Sequence, residues 1–593
     1  MNSSVGLYQD DCGFRFDNSY SKLPASLFTH QVPQHFTNPS LVIFNERLAG
    51  NLGLDIDALK VANWSFFSGR ELPEKSSPIA QAYAGHQFGH FARLGDGRAI
   101  LLGEHIAPNQ ARFDIQLKGS GPTQYSRSGD GLAALGPMLR EYLISEAMHA
   151  LGVPTTRSLA VMLTGEMVYR AEPLNGAVLT RVASSHIRVG TFQYAAAMNS
   201  LGVLKALADY TINRHFPELE KQPAPYVGLL KAVIDLQAKL IADWMRLGFV
   251  HGVMNTDNMS ICGEAIDYGP CAFINAYSPK IAFSSIDREG RYAFGNQPMI
   301  GEWNLTRFAE SLLPLIDGDQ SEAIKIASQS LDEYQSKFRD NWLDAMRKKL
   351  GIFDAEPEDL MLVEDLLMLM YKHQADYTNT FRNLNRPSQL SERLLSDQGF
   401  RHWMDKWNQR LSRQAQSIGD AQALTFSRST LKPFQALPFV EAGGLKTFGF
   451  DESETAMLCA SHSGEDMHVA LAERMLRKAE CDEHHLQCGC HVPMRYSAFD
   501  LPAPTGATFD QRHNNCSGKH AGFLAYCRMT ETPLDTYLDD GHPLQRAIRA
   551  RVAATAGIDE ATLAVGIDGC SAPNLALPLA RLARLYALLA RPE

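Results

Sequence analysis

The sequence predicts an α+β fold for the N-terminal part of the chain, because strand-like and helical patterns alternate there. Arg112–Lys118 alternates apolar and polar residues at a period of two, as a half-buried strand does. Pro137–Leu151 changes to helical spacing, with a proline in its first turn and Leu151 among the candidates for burial. Pro225–Leu247 carries apolar residues at three- and four-residue steps, which is typical of a long amphipathic helix.

Three further helices are predicted in the middle of the chain. They span Trp303–Leu313, which Pro314 would end, Asp332–Leu350 and Leu360–Tyr371. The last of these is the most apolar stretch of the sequence, but it is interrupted by acidic residues and is too short to span a bilayer. We therefore expect it to be a core helix.

Composition excludes several functional classes. The chain has 45% hydrophobic and 21% charged residues, as soluble globular proteins do. Its net charge of -10 favours neither nucleic acid nor an anionic membrane as a partner. Residues 1–17 lack a basic segment followed by an apolar run, so no secretory signal is predicted and we expect a cytoplasmic protein.

Length and cysteine distribution indicate more than one domain. A chain of 593 residues exceeds what one hydrophobic core usually supports. Seven of the ten cysteines lie between Cys459 and Cys570, where thiols or metal ligands are more common than disulfides in a cytosolic chain. The polar run 410–422 is the candidate linker, and we divide the chain into a domain at 1–415, a linker at 416–424 and a domain at 425–593.

The first domain contains the residue types that nucleotide transfer requires. Lys118 ends the predicted strand and Glu141 lies on the next helix, where it could hold the lysine in an ion pair as in protein kinases. Asp257-Asn258 is followed by Asp267, an arrangement that resembles the two metal-binding positions of kinases. The simpler alternatives are a solvated lysine and a surface loop rich in Asn and Asp.

The segment around Asp257 also departs from a kinase. Residues 259–261 and 265–266 are predicted to form a hairpin that brings Asp267 beside Asn258. No His-Arg-Asp precedes the loop, because apolar Val253 and Met254 stand where the base of a kinase would lie. Ordinary phosphoryl transfer is therefore not expected.

Five motifs in order carry a family resemblance. They are Gln81–Gly89, Gln116–Gly121, Arg127–Gly131, His186–Phe192 and His251–Asn258. Over residues 20–415 the chain resembles the selenoprotein O (YdiU) family of protein adenylyltransferases. The resemblance implies a bilobal, protein-kinase-like fold that holds ATP flipped, with the α-phosphate facing the acceptor hydroxyl.

The resemblance also implies roles for individual residues. Asp257 would be the general base, Asn258 and Asp267 would bind Mg²⁺ or Mn²⁺, and Glu141 would support Lys118. Contacts to the nucleotide are implied for Gly95, Gly97, Arg98, Lys118, Asp130, Gly131, Arg181 and Arg188. Taken singly, the arginines could be surface residues and 95–98 a plain turn between strands.

A second resemblance begins near residue 425. It rests on Ser427–Leu437, Cys459–Glu465, Asn514–Gly522 and Gly566–Cys570. Over 425–592 the chain resembles the zinc-dependent L-asparaginase II family of rhizobial type, as a partial α/β domain. The strands that open the family's fold and its segment after Cys570 are not found in this sequence.

The second resemblance implies a hydrolytic site. Ser429 and Lys432 lie one helical turn apart, so that a neutral lysine could take the serine proton, although such a pair is common by chance. By resemblance, Ser429 is the nucleophile, Lys432 its base and Ser461 a second catalytic hydroxyl, and the zinc ligands are Cys516, Lys519 and Cys570. A competing metal set is His484, His485, Cys488, Cys490 and His491. Because parts of the family's fold are not found, we expect little zinc binding and no hydrolysis of asparagine.

The predicted function is transfer of AMP from ATP to Ser, Thr or Tyr hydroxyls of proteins, with Mg²⁺ or Mn²⁺. UMP could replace AMP. The alternatives are an L-asparaginase activity of the C-terminal segment and a nucleotide-binding pseudokinase that serves as a scaffold. We expect ATP and substrate proteins as partners, and neither nucleic acid nor a membrane.

Overall fold

The computed structural model describes residues 6–7, 12–414, 423–498, 502–504 and 506–590. The chain divides into two compact units, Met1–Gln416 and Ser417–Glu593. Within the described ranges no helix is long and apolar enough to cross a membrane.

The first unit begins with a part that is rich in strands. These strands are β1 (Gly6–Leu7), β2 (Phe28–His30), β3 (Ser40–Phe44), β4 (Glu71–Leu72), β5 (Ile79–Gln81), β6 (Ala84–Gln87), β7 (His90–Arg93), β8 (Ala99–Ile106), β9 (Arg112–Lys118), β10 (Ala133–Ala134), β11 (Arg157–Tyr169), β12 (Pro173–Ala183), β13 (Phe249–Val250) and β14 (Ala272–Phe273). An antiparallel sheet has the order β2-β5-β8-β9-β12-β11-β3, with β10 beside β12, and β6 pairs with β7 as a separate hairpin. The fold of this unit is therefore a mixed α/β fold.

The first unit also contains fourteen described α-helices, of which α5 to α14 follow the large sheet along the chain. Its helices are α1 (Glu46–Leu52), α2 (Ile56–Val61), α3 (Ser65–Ser68), α4 (Leu135–Ala150), α5 (Val189–Ala197), α6 (Leu201–His215), α7 (Pro225–Leu247), α8 (Gln297–Ile316), α9 (Gln320–Leu331), α10 (Glu333–Lys349), α11 (Asp359–His373), α12 (Tyr377–Asn383), α13 (Glu392–Leu395) and α14 (Gln398–Gln414). Buried side chains of α5, α6, α7 and α8 form one apolar core, and those of α10, α11 and α14 belong to another.

The predicted strand and the helix that follows it are both present. Lys118 ends β9, whose neighbours in the sheet are β8 and β12. Helix α4 buries Met138 and Tyr142 against the sheet. Leu151 was expected to be buried but is 46% exposed, because it is the residue that caps the C-terminus of α4.

Helix α7 has the bounds that its apolar spacing predicts, Pro225–Leu247. Gly248 ends it in the left-handed conformation, φ 70°, which residues with a Cβ adopt rarely. The chain then passes through β13 into the segment 251–258.

Two local predictions are wrong. Pro314 lies inside α8 rather than after it, because a proline in the last turn of a helix removes only one backbone hydrogen bond. Residues 259–261 and 265–266 do not pair as a hairpin: Ser260 bridges to Arg188 and Ala265 bridges to Thr155. The segment that leads to Asp267 therefore pairs with two other parts of the unit.

The polar run 410–422 is not a linker throughout. Residues 410–414 belong to α14, residues 415–422 lie outside the described residues, and Leu424 already begins a strand. Arg410 is buried, and its Nε donates to Asp359 Oδ1 on α11 at 2.8 Å. One residue of the polar run, Arg410, thus forms a buried ion pair with α11.

The second unit has a small sheet and a helical core. Its elements are β15 (Leu424–Phe426), α15 (Lys432–Glu441), α16 (Gly444–Phe448), α17 (Glu452–Cys459), α18 (Asp466–Lys478), α19 (Met494–Ala498), α20 (Ser517–Met529), α21 (Pro543–Ala556), β16 (Ala564–Ile567), β17 (Pro573–Pro578) and α22 (Leu579–Leu589). The strands are antiparallel in the order β15-β17-β16. Residues from α15, α17, α18, α20 and α21 share one apolar core.

Gly190→Ala is expected to lower the free energy of unfolding by at least about 1–3 kcal/mol. A methyl group on Gly190, in α5, would overlap the carbonyl oxygen of Ala84 and would lie 3.4 Å from Asp257 Cα. The matched control is Gly202→Ala in α6, where nothing lies within 4 Å of the added Cβ. The control should stabilise the protein by about 0.4–1 kcal/mol. Denaturant unfolding measures both changes, and equal effects would contradict the close approach of α5 to β6.

Candidate nucleotide-binding site

A cavity of about 280 Å³ lies between the sheet and the helical part of the first unit. Its lining includes the residues Gly97, Arg98, Lys118, Glu141, Arg181, Arg188, Asp257, Asn258 and Asp267. All of these were selected from the sequence. The fold thus brings together residues that are up to 170 positions apart in the chain (267 minus 97).

A second cavity of about 720 Å³ adjoins the first. We call the first the inner cavity and the second the outer cavity. Gly95, Gly97, Arg98, Asp130 and Gly131 line it, as does the loop 125–132. The two cavities share Tyr83, Gly97, Arg98 and Asp257. Asp257 therefore lies at the junction between them.

Lys118 is the centre of a buried ion network. Its Nζ donates to Glu141 Oε2 at 2.7 Å, the ion pair that the sequence predicts, and to Asp267 Oδ1 at 2.5 Å. Burial lowers the pKa of Lys118, and the positive charge of Arg181 lowers it further. The two carboxylates oppose this shift and keep an ammonium group inside the protein.

Arg181 is almost fully buried beside the same carboxylates. It lies opposite Gln116 in the pairing of β12 with β9, which places its side chain near Lys118. Its Nε donates to Glu141 Oε1 at 2.9 Å and its Nη2 to Asp267 Oδ1 at 2.5 Å. The guanidinium group thus brings a fixed positive charge to the deep end of the cavity.

Arg188 is the third cation that contacts Asp267, and it binds the other carboxylate oxygen. Its Nη1 donates to Asp267 Oδ2 at 3.2 Å and to the backbone oxygen of Asp257 at 2.9 Å. Its guanidinium carbon lies 4.5 Å from the centre of the Tyr83 ring. Among the described residues, Arg188 Nε has no hydrogen-bond partner.

The three cations determine the charge state of Asp267. Burial alone would raise the pKa of this carboxyl group, but Arg181, Lys118 and Arg188 outweigh burial and hold the pKa well below its usual range. Asp267 also has a left-handed backbone, with φ 65°, which is rare for a residue other than glycine. A strained, fully ionised carboxylate is thus held at this position.

Asp257 has a different environment from Asp267. Among the described residues, its Oδ1 has no hydrogen-bond partner, and burial raises the pKa of the carboxyl group to about 6. Gly85 of β6 lies so close that any side chain there would overlap the carboxylate. The side chain is therefore enclosed but free to accept a proton or a hydrogen bond.

The donor atoms fit a hard divalent cation. Asn258 Nδ2 donates to the backbone oxygen of Val253 at 3.0 Å, which leaves the amide oxygen available as a ligand. Asp267 supplies carboxylate oxygens in the same cavity. In the described ranges no group of three or more His, Cys, Asp or Glu residues could hold a metal ion by itself. A metal here would need further oxygen ligands, which nucleotide phosphates provide.

The remaining predicted residues line the outer cavity. Asp130 is half exposed and forms an ion pair with Arg170, with 2.6 Å between Asp130 Oδ2 and Arg170 Nη1. Hydrogen bonds from Arg170 lower the pKa of Asp130. Gly97 accepts a hydrogen bond at its backbone oxygen from Ser126, which joins the 95–98 turn to the loop before Asp130.

Sequence reasoning missed Asp96 and Tyr83. Asp96 is buried in the cavity wall, its Oδ2 accepts from Gln81 N at 3.1 Å, and burial raises the pKa of its carboxyl group to about 6. Tyr83 stacks on Arg188. Both residues lie inside segments singled out from the sequence, Gln81–Gly89 and the turn 95–98, where attention to polar side chains beside the glycines would have found them.

The residues proposed for hydrolysis in the second unit are only partly brought together. Lys432 is buried and its Nζ donates to Ser461 Oγ at 2.8 Å and to the backbone oxygen of Ala460 at 2.8 Å. Burial lowers the pKa of Lys432. Ser429 is exposed, on the short turn Arg428–Leu431 before α15. The lysine is thus directed at Ser461 rather than at Ser429.

The proposed zinc ligands of the second unit are close to one another. Lys519 Nζ donates to Cys570 Sγ at 3.2 Å. Hydrogen bonds from Cys516 and His520 and the charge of Lys519 hold the pKa of Cys570 far below that of a free thiol, although burial opposes them. Hydrogen bonding to Cys570 and burial raise the pKa of Cys516.

The competing metal set does not assemble. His485 hydrogen-bonds Asp482, and the Cys488 and Cys490 thiols donate to the backbone oxygens of Gln511 and Phe509. His491 hydrogen-bonds its neighbour Val492 through Nδ1, and His484 is exposed. In the described part of this unit, these side chains therefore form no ligand cluster.

Comparison with known proteins gives two family matches. Residues 12–432 match the family described as protein adenylyltransferase SelO, and residues 409–593 match the family described as L-asparaginase II. The protein nucleotidyltransferase YdiU of Halalkalibacterium halodurans is 58% identical over 416 residues, which cover 70% of this chain and 85% of that protein. YdiU of Brevibacillus brevis is 58% identical over 413 residues, covering 69% and 84%.

Proposed function

Because the chain belongs to the SelO family of protein nucleotidyltransferases, we propose that it transfers AMP from ATP to Ser, Thr or Tyr hydroxyls of proteins. The observation that carries this proposal is the position of Asp257 at the junction of two cavities, the inner of which is lined by the buried cations Lys118, Arg181 and Arg188. We also propose that residues 1–415 form the adenylyltransferase domain, with the kinase-like fold of the family.

The cations favour phosphates at the deep end of the inner cavity. Lys118 and Arg181 are buried there beside Glu141 and Asp267. An adenine ring would have to displace these hydrogen-bonded charges, whereas β- and γ-phosphates would pair with them. The nucleoside would then lie in the outer cavity, toward Asp130 and Gly131.

This orientation places the α-phosphate at the junction. A triphosphate that enters the inner cavity with its γ end first leaves the α-phosphorus nearest to Asp257. An acceptor hydroxyl bound there would attack the α-phosphorus, so that the bond to the β-phosphate breaks and pyrophosphate leaves. A kinase would instead need the γ-phosphate at the position of the base. The geometry therefore supports nucleotidyl transfer over phosphoryl transfer.

Each step is assigned to residues of this chain. Asp257 accepts the proton of the acceptor hydroxyl, and Lys118 and Arg181 hold the pyrophosphate group that leaves. Arg188, between Asp257 and Asp267, is placed to bind the α-phosphate. Asn258 and Asp267 would hold Mg²⁺ or Mn²⁺, which when bound neutralises phosphate charge.

ATP labelled in either the α- or the γ-phosphate tests the proposal directly. The label should enter protein from the α position and not from the γ position. Transfer from the γ position would identify a kinase, and binding of ATP without any transfer would identify a pseudokinase scaffold. Labelled UTP in a parallel reaction tests whether UMP can replace AMP.

Asp267→Ala and Lys118→Ala are each expected to abolish transfer of the α label. The first removes a metal ligand and the second removes a phosphate-binding charge. Asp235→Ala, which removes an exposed carboxylate paired with Lys337, is the matched control and should retain full activity. Transfer by Asp267→Ala at the rate of the control would overturn the assignment of the site.

Asp257→Asn is expected to lower turnover by about 10²- to 10⁴-fold while the affinity for ATP changes little. The substitution keeps the shape of a side chain that Gly85 encloses but removes its capacity to accept a proton. Single-turnover kinetics and equilibrium binding of ATP separate the two quantities. An equal loss of nucleotide affinity would assign Asp257 to the metal site instead.

For the second unit we propose that the asparaginase-like segment does not hydrolyse L-asparagine. Lys432 donates a hydrogen bond to Ser461, and the exposed Ser429 hydroxyl has no hydrogen bond to a base within the described part of the chain. Catalytic groups need placement within roughly 0.5 Å of the productive geometry, whereas Lys432 Nζ is directed at Ser461 instead of Ser429. Ammonia release from L-asparagine that depends on Ser429 and on added Zn²⁺ would show that the proposal is wrong.

A further inference from the structure

Both carboxylate oxygens of Asp267 accept hydrogen bonds from cationic side chains. Oδ1 accepts from Lys118 and from Arg181, each at 2.5 Å, and Oδ2 accepts from Arg188 at 3.2 Å. If Asp267 is a metal ligand, as the proposed function requires, a divalent cation must compete with three positive charges for it. A divalent cation bound by Asp267 would also be repelled by these three neighbouring positive charges.

The three cations differ in their carboxylate partners other than Asp267. Lys118 and Arg181 each have a second carboxylate partner in Glu141, so that both remain compensated if Asp267 turns to another ligand. Arg188 has no such contact with Glu141, and its nearest other carboxylate oxygen, Asp96 Oδ1, is 3.9 Å from its Nη2. Its Nε has no partner among the described residues.

We propose that Arg188 binds Asp267 Oδ2 until nucleotide arrives and then moves to the nucleotide phosphates, which would leave Oδ2 free for a divalent cation, so that metal and nucleotide bind together. The phosphates remove the competing guanidinium from Oδ2 and supply further oxygen ligands. Linkage then requires that nucleotide raises metal affinity by the same factor as metal raises nucleotide affinity. This is a role for Arg188 in addition to phosphate binding.

Binding of Mn²⁺, followed by electron paramagnetic resonance, tests the proposal without turnover. The probes are Mn²⁺ alone and Mn²⁺ with α,β-methylene-ATP, which cannot be cleaved at the reacting bond, after correction for the complex that forms without protein. The wild-type chain should bind Mn²⁺ alone weakly and at least about tenfold more tightly with the analogue. Tight binding of Mn²⁺ alone, unchanged by the analogue, would overturn the proposal.

The variant that isolates Arg188 is Arg188→Met, which keeps the length of the side chain without its charge. It should bind Mn²⁺ alone at least about tenfold more tightly than the wild type, and the gain from the analogue should shrink. Arg188→Lys keeps a positive charge and should bind Mn²⁺ alone as weakly as the wild type. If Arg188→Met binds Mn²⁺ alone no more tightly than wild type, the proposal is wrong.

Two further variants identify the source of the signal. Asp267→Asn should remove Mn²⁺ binding under both conditions, and binding that survives this change would place the ion elsewhere and overturn the proposal. Arg157→Met is the matched charge control, because Arg157 also forms a two-pronged ion pair with a glutamate, Glu146, outside the cavity. Arg157→Met should leave Mn²⁺ affinity unchanged. If it raised Mn²⁺ affinity as much as Arg188→Met does, the loss of one positive charge from the protein would explain both results and the proposal would be wrong.

The outcomes separate this inference from the proposed function. Transfer of the γ label with the expected response of Arg188→Met would contradict AMP transfer and leave the role of Arg188 standing. Transfer of the α label without that response would support AMP transfer and contradict the role of Arg188. Thermal unfolding of each variant, monitored in parallel, identifies a variant that fails to fold, and Arg188→Lys then provides the comparison with wild type.

Discussion

The site depends on a requirement for charge balance inside the protein. Lys118 and Arg181 are buried at the deep end of the cavity, where an unpaired charge would cost several kcal/mol. Glu141 and Asp267 compensate them, and each carboxylate binds both cations. The network exists only when the sheet, α4 and the segment after residue 258 are all in place. The site is therefore complete only in the folded first unit.

The same constraint explains how two acidic side chains that line one cavity differ in pKa. Asp267 faces three cations and stays ionised, whereas Asp257 is buried with one unpartnered oxygen and a raised pKa. One carboxylate is suited to bind cations and the other to exchange a proton. The difference comes from the neighbours of each residue, since both lie in the same cavity.

Sequence patterns predicted the elements with strong periodicity and the residues inside family motifs. The bounds of α7 and β9 follow from spacing alone, and the ion pair of Lys118 with Glu141 follows from their order along the chain. Pairing between distant segments could not be predicted, because Ser260 and Ala265 bridge to Arg188 and Thr155 rather than to each other. Asp96 was missed because burial, which makes it unusual, is a property of the fold.

The ion pair of Arg410 with Asp359 bears on where the polypeptide can be divided into two separately expressed parts. The match to the second family begins at residue 409, yet Arg410 and the two preceding tryptophans on α14 are packed into the first unit. A polypeptide that ended at residue 408 would keep both tryptophans but lose Arg410, and among the described residues Asp359 would then have Arg347 alone as its cationic partner. Separate expression of the adenylyltransferase-like part is therefore expected to need a chain that includes Arg410.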